Sequence, residues 1–347
     1  MTDTDESYFR HRFETRIAEE VFGHARPSDQ PVTIVIGGQP GVGKTAGGNR
    51  VIDMYPPGEV VRIIGDDLRQ FHPDFDHLMA TDPLRMPDVT APAMARWTTM
   101  CAEYANDHGY SVLVESTWRR LDETLDNVRQ AASHDRSTHA VVVAVPFEVS
   151  RLSTLGRYYR AVDSGEPARW TPPEGHDNAA AQLPDAVLQI AGNPDVHRFT
   201  VTDRSGTILF DDSPSRPERG PEGLAAFDAA YRRPLTAQER TQVLQDVPYF
   251  VAAHTRHTQL ESSAREMISW AEKVADQVRA IDRAETPARE VGTASLSPAR
   301  SPSTRTAPPL SFPKTLRTGR SAGAASHASQ QAAPRLPTRG SETTPER

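Results

Sequence analysis

Val32–Gly47 reads VTIVIGGQPGVGKTAG. Five β-branched residues in a row predict a buried strand. The strand runs into GQPGVGKT, Gly38–Thr45, which fills the pattern G-x-x-x-x-G-K-[ST] at every fixed position. Gly38, Gln39, Pro40, Gly41, Val42 and Gly43 form a turn whose amides converge, because Gly41 and Gly43 can take backbone angles closed to other residues. A helix opening directly after the turn adds the positive end of its dipole. In such a loop Lys44 reaches the β- and γ-phosphates and Thr45 ligates Mg²⁺. The dinucleotide fingerprint has no Lys-Thr after its glycines and does not fit. The loop implies a bound nucleotide and leaves the reaction open.

The same alternation continues outward. EVVRIIGDD, YSVLVES, HAVVVAVP and HRFTVTD read as four further strands, with helical stretches between them. Leu121, Leu125, Val128 and Ala132 make one apolar helical face. Strands alternating with helices imply an α/β fold, a mostly parallel sheet with helices on both faces. Its site is expected at the carboxyl ends of the strands. Before the sheet, residues 1–31 carry a helix in which Phe9, Phe13, Ile17 and Val21 recur every four residues. The sheet domain is expected over 32–215 and closes with TVTDRSGTILFDD, a terminal strand pair. A Pro/Arg-rich linker to about Pro234 and a C-terminal helical arm fill 216–285. TAQE at Thr236–Glu239 has capping-box spacing, and Leu260, Met267, Ile268, Ala271, Val274 and Val278 follow at helical intervals. Residues 286–347 are rich in Pro, Ser, Thr, Ala, Gly and Arg and read as a disordered tail.

Composition narrows the classes. The 347 residues carry a net charge of −7, but Ala288–Arg347 holds nine basic and three acidic residues, +6, so the remainder carries −13. An acidic core is a poor nucleic-acid binder, and no nucleic acid is expected on it. The single cysteine, Cys101, excludes an internal disulfide and a cysteine-rich zinc site, and fits a cytoplasmic setting. None of the twelve histidines shows metal-ligand spacing. No apolar run approaches the roughly 20 residues that span a bilayer, and the N-terminus lacks a signal-peptide pattern, so no membrane is expected.

Further motifs stand just after the strands. RIIGDDLRQFHPDF puts Asp66 and Asp67 past the second strand, where a carboxylate can accept a proton from an attacking hydroxyl or cap a helix. LVESTWRR ends the third strand at Glu115, with Thr117 and Arg119 beyond it. AVPFEVSRLSTLGRYYR sets Arg157 and Arg160 on one helical face, and EPARWTPPEGHD supplies Arg169, His176 and Asp177. With these motifs in this order, the chain resembles the zeta-toxin family of P-loop kinases over about Val32–Asp211.

The resemblance implies an ATP-dependent kinase that phosphorylates the amino-sugar 3′-hydroxyl of UDP-N-acetylglucosamine. It also implies a toxin whose product starves cell-wall synthesis, and a small helical antitoxin that blocks the ATP site. Carried over by position, the loop lysine falls on Lys44, the Mg²⁺-binding hydroxyl on Thr45 and the catalytic aspartate on Asp66, counted back from His72, Pro73 and Phe75. The acceptor-contacting arginine falls on Arg119 and the phosphate-facing arginines on Arg157 and Arg169. Two positions depart: Thr99 stands where the prototypes have a sugar-contacting glutamate, with Glu103 one helical turn on, and Ser116 stands for glycine.

Blander readings stand beside these. Glu115 sits behind the magnesium site or satisfies a local backbone amide. His72 locks a turn, and His176 with Asp177 caps a helix. Thr99 keeps open a kinase with another acceptor, such as a nucleoside, an antibiotic or a different sugar nucleotide. The amphipathic arm keeps open a nucleotide-dependent binding protein without transfer chemistry, or an arm folded over the ATP site.

Overall fold

Six strands carry the fold: β1 Val32–Gly37, β2 Val60–Ile64, β3 Ser111–Glu115, β4 Ser137–Val143, β5 Arg198–Thr202 and β6 Ile208–Asp212. They lie in the order β2-β3-β1-β4-β5-β6. The first five are parallel, and β6 turns back antiparallel on β5. The computed structural model describes residues 3–83, 85–166, 168–257 and 262–285. The 286–347 stretch read as a tail, and Leu260, lie outside the described residues.

The helices are α1 Asp3–Arg12, α2 Ala18–Phe22, α3 Lys44–Ile52, α4 Gly65–Leu68, α5 Phe75–Thr81, α6 Met86–His108, α7 Leu121–Ser133, α8 Phe147–Ser164, α9 Pro173–Gly192, α10 Arg219–Tyr231, α11 Ala237–Arg256 and α12 Ser262–Glu285. Strand β1 is buried along its whole length, as a central parallel strand covered on both faces must be. Its Val32, Ile34 and Ile36 join Val42, Val51 and Val149 in one cluster, while Val35 joins α9 and α10 in another. Glu115 stands in register with both Ile36 and Ile64, so the carboxyl ends of β1, β2 and β3 finish level.

The N-terminal helix is continuous from Asp3 to Phe22, with a π turn at Phe13–Ile17 between α1 and α2. The wider turn shifts the apolar face by one residue, so Phe22 is buried where four-residue spacing selects Val21. Trp97 Nε1 donates to the Phe9 carbonyl at 3.1 Å and ties this helix to α6. Cys101 lies in the same cluster, wholly buried, and burial pushes its thiol up to about 12.

The Pro/Arg-rich stretch read as a linker contains α10. Its first residue, Arg219, is fully buried and donates to the carbonyls of Ala191, Asn193, Val196 and His197, closing the end of α9. The capping box at the start of α11 is present, Thr236 Oγ1 accepting from the Glu239 amide. The apolar face that the arm's sequence offers to a partner is covered within the chain. Val243, Val247 and Phe250 of α11, with Met267, Ala271, Val274 and Val278 of α12, pack against Leu152, Leu155, Tyr158 and Tyr159 of α8. Arg160 points to the arm, pairing with Asp246 at 2.6 Å, while Arg157 on the same helix turns away toward the cleft.

Candidate active site

The loop after β1 is shaped by backbone. Gly38, Gly41 and Gly43 have φ of +140°, +78° and +99°. Gly41 has a second reason to lack a side chain: a Cβ there would collide with the Ser150 carbonyl oxygen of α8. Val42 is buried beneath the loop. Gly43 is the N-cap of α3 in the left-handed region and supplies no side chain to cap it, which leaves the helix N-terminus to an anion. Pro40 is half-buried at the loop's crest, and Thr45 is exposed on the first turn of α3. Lys44 Nζ donates to the carbonyls of Gly38 at 2.9 Å and Gln39 at 3.5 Å. Burial brings Lys44 down to about 8, opposed by the charge of Glu115. A lysine folded onto its own loop, at the mouth of a glycine turn that opens a helix, fits a polyphosphate.

Asp66 sits one residue into α4, directly beyond β2. Its Oδ1 accepts from Arg69 Nε at 2.9 Å, and Oδ2 pairs with Arg169. Arg69 is held in turn by α6, donating to the Pro87 carbonyl at 2.6 Å and to Thr90 Oγ1 at 2.7 Å. Burial in the cleft raises the Asp66 carboxyl, but Arg169 and then Arg69 outweigh it and bring it down to about 2. Asp67 is raised by burial and by the Asp66 charge. Neither aspartate caps α4 through its side chain.

Arg157 Nη2 donates to Thr171 Oγ1 at 2.9 Å, on the loop that also carries Arg169. Desolvation, then the charge of Arg169, brings the Arg157 guanidinium down to about 10. Lys44 feels the charges of Glu115, Arg157, Asp66 and Arg169, so these five groups share one electrostatic neighbourhood. Glu115 pairs with Arg62 at 3.4 Å and is raised by burial, against the pull of Arg62 and Lys44. Arg62 also donates to Asn49 Oδ1 at 3.0 Å, joining β2 to α3.

Three residues expected here are less engaged. Thr117 is half-buried before Trp118, whose ring lies against Gly37. Arg119 is exposed and makes no hydrogen bond or ion pair among the described residues. Thr99 is exposed and its hydroxyl returns to the Ala95 carbonyl of its own helix at 3.2 Å. Met94 and Thr98 are the α6 residues packed beside Gly65, next to Asp66. Glu103 pairs with Arg96, which holds Glu6 of the N-terminal helix. So neither Thr99 nor Glu103 is brought to the carboxylate.

Arg69 falls at the basic position of the D-x-x-R/K-x-x-HP-x-F pattern with no role read for it, and Arg204 is marked by no motif. Arg204, in the β5–β6 turn, donates to the Gly41 carbonyl at 3.1 Å and to Ser153 Oγ at 3.0 Å. His176 and Asp177 are no simple helix cap, since α9 starts at Pro173 with Pro172 as its N-cap. His176 is fully buried between Ser150 and Asp177. His72 does close a turn, Nδ1 accepting from the Asp74 amide at 3.2 Å. Among the described residues no helix is long and apolar enough to cross a membrane, and no group of three or more His, Cys, Asp or Glu could hold a metal.

The Toxin zeta of Streptococcus agalactiae is 31% identical over 185 residues, 53% of this chain and 64% of that protein. The Toxin PezT of Streptococcus pneumoniae is 26% identical over 212 residues, 61% of this chain and 83% of that protein. The chain thus spans a little under two thirds of the length of the zeta toxin it matches. A solved structure from work on the PezAT chromosomal toxin–antitoxin system of S. pneumoniae shares the fold. It has a TM-score of 0.60 at 20% identity and covers 75% of this chain and 99% of its own. The family model described as Zeta toxin matches residues 14–214, from the N-terminal helix to the end of β6, and the chain belongs to the zeta-toxin family.

Proposed function

We propose that the chain is an ATP-dependent kinase, and that its acceptor is the amino-sugar 3′-hydroxyl of UDP-N-acetylglucosamine. One observation carries the kinase reading. A glycine cradle with Lys44 and a carboxylate flanked by two arginines meet at the carboxyl ends of β1, β2 and β3. Phosphoryl transfer needs positioning and charge stabilisation more than covalent chemistry, and these are the groups that supply both.

The loop amides and Lys44 would hold the β- and γ-phosphates. Thr45 would hold a magnesium ion, and that ion, when bound, neutralises phosphate charge. Arg157 and Arg169 would take the γ-phosphoryl oxygens, Arg169 bidentately if it leaves Asp66. A γ-phosphate carries more charge than a carboxylate and competes for that guanidinium. Losing Arg169 would return basicity to Asp66, which would accept the acceptor's proton as the acceptor oxygen bonds the γ-phosphorus and the bond from that phosphorus to the β-phosphate oxygen breaks, releasing ADP. Arg119, exposed beyond β3, would bind the acceptor, with Thr117 and Glu115 beside it. The fuller proposal is a toxin restrained by a small helical antitoxin over the nucleotide site.

A different acceptor is the second reading. What favours it is that Thr99 and Glu103 both turn from Asp66, leaving Met94 and Thr98 at the place where a sugar-contacting acid is expected. Mass spectrometry separates the two. Purified protein is incubated with Mg²⁺-ATP and UDP-N-acetylglucosamine, UDP-glucose or free nucleosides, with Lys44→Ala as control. A phosphate-sized gain on UDP-N-acetylglucosamine alone supports the first reading. A gain on another acceptor moves the substrate, and no gain on any acceptor sinks the kinase.

A further inference from the structure

We infer that α12, which lies wholly beyond the family match at 14–214, positions the phosphate loop through a buried relay of side chains. The inference rests on the reading that this loop binds a nucleoside triphosphate.

The relay starts inside the loop. Gln39 is fully buried, and its Nε2 donates to Ser150 Oγ at 3.2 Å. Ser150 Oγ stands 2.9 Å from His176 Nε2, and His176 Nδ1 stands 2.9 Å from Asp177 Oδ1. Asp177 Oδ2 takes Arg151 at 3.0 Å. The Arg151 guanidinium then lies 4.5 Å from the ring centroid of Trp270 on α12 and 5.6 Å from that of Phe147. Ser150 meets the loop twice, because its carbonyl also abuts Gly41.

The polarity of this chain sets the order of dependence. Burial lowers the His176 pKa, against the pull of Asp177, and a neutral imidazole facing a carboxylate carries its proton on Nδ1. Nε2 is then an acceptor for the Ser150 hydroxyl, which also has the Phe147 carbonyl at 2.9 Å, and the Ser150 oxygen is left to accept from Gln39. At the far end the Arg151 side chain is only 7% exposed, so water cannot solvate its charge, and the Trp270 face takes water's place. Taking the ring away lets Arg151 hydrate and leave Asp177, and the orientation of His176, Ser150 and Gln39 goes with it. Trp270 is therefore a positioning residue for a loop it does not touch.

The test uses the full chain with Trp270→Leu, which keeps apolar bulk and removes the π face, and Trp270→Phe, which keeps a π face. Amide hydrogen exchange of residues 37–42 is followed without nucleotide, and Mg²⁺-ATP affinity by calorimetry. Trp270→Leu is expected to speed loop exchange and weaken ATP about 10-fold, with Trp270→Phe within about 3-fold of the parent. A folded Trp270→Leu protein with parental loop exchange and parental affinity overturns the inference. If Trp270→Leu does not fold, Ser150→Ala cuts the relay with the arm packing intact, and unchanged loop exchange there overturns it equally. A parent that binds no ATP while Trp270→Leu still loosens the loop upholds the coupling and sinks only the nucleotide reading.

Discussion

On one side of the cleft, the eight consecutive residues Gly38–Thr45 make a loop shaped mostly by backbone; on the other side, Asp66 is held by two arginine side chains. One arginine stands a helical turn away and the other comes from the loop between α8 and α9. The first side is a fixed shape, set by glycine angles and by Val42 packed under the loop. The second is a charge arrangement, one carboxylate between two guanidiniums. A glycine-shaped loop needs no rearrangement to receive an anion, whereas under the proposed mechanism Asp66 would give up Arg169 to act as a base. The two halves should therefore fail differently when altered.

Asp66→Asn breaks the acceptor side outright. Turnover falls at least ~100-fold while Mg²⁺-ATP affinity stays near the parent, as separate rate and calorimetric measurements would show. Gly41→Ala breaks the other side. The added methyl meets the Ser150 carbonyl at a backbone angle that alanine resists, and ATP binding weakens by about 10-fold or more, read by calorimetry.

Arg169→Ala sharpens the comparison through pH. Asp66 is ionised well below neutrality because its folded pKa is depressed to about 2. Its contribution to folding is thus present above the unfolded value near ~4 and lost as pH falls toward 2. Without Arg169 that pKa rises, and the acid limb of kcat/KM set by Asp66 moves up by about one unit or more. A limb that stays put would show that Arg169 does not control the carboxylate. The smallest effect is expected from Thr99→Ala. Its hydroxyl serves only its own helix, so kcat/KM should change less than about 2-fold. A larger loss would return the acceptor contact to Thr99.

The same contrast explains what could be read from sequence. Gly38–Thr45 is contiguous and its residue types are dictated by backbone angles, so the pattern is legible without a fold. The parallel sheet was legible from its β-branched runs, and the cap on α11 from Thr236 and Glu239. The role of Arg69 was not, because it depends on Pro87 and Thr90 of α6 lying behind it. Thr99 was counted along the chain, but the direction a helical residue faces changes by about 100° at each step, and Thr98 is the neighbour packed beside Gly65. Helix α10 was hidden by its proline and two glycines; it is secured by Arg219 and by Gly223, which lies where a side chain would collide with Phe199. The π turn that buries Phe22 has no signal in residue type at all.

Cys101 has a use that lies outside the chemistry of the cleft. A thiol buried in the core and ionising only near 12 does not react with maleimides at neutral pH. Cysteines placed at exposed positions such as Thr99 and Glu166 would then be the sole labelled sites, with Cys101 left in place. A donor–acceptor dye pair on those two positions would read the distance between α6 and the end of α8 in single molecules, with and without Mg²⁺-ATP, in a chain otherwise unaltered.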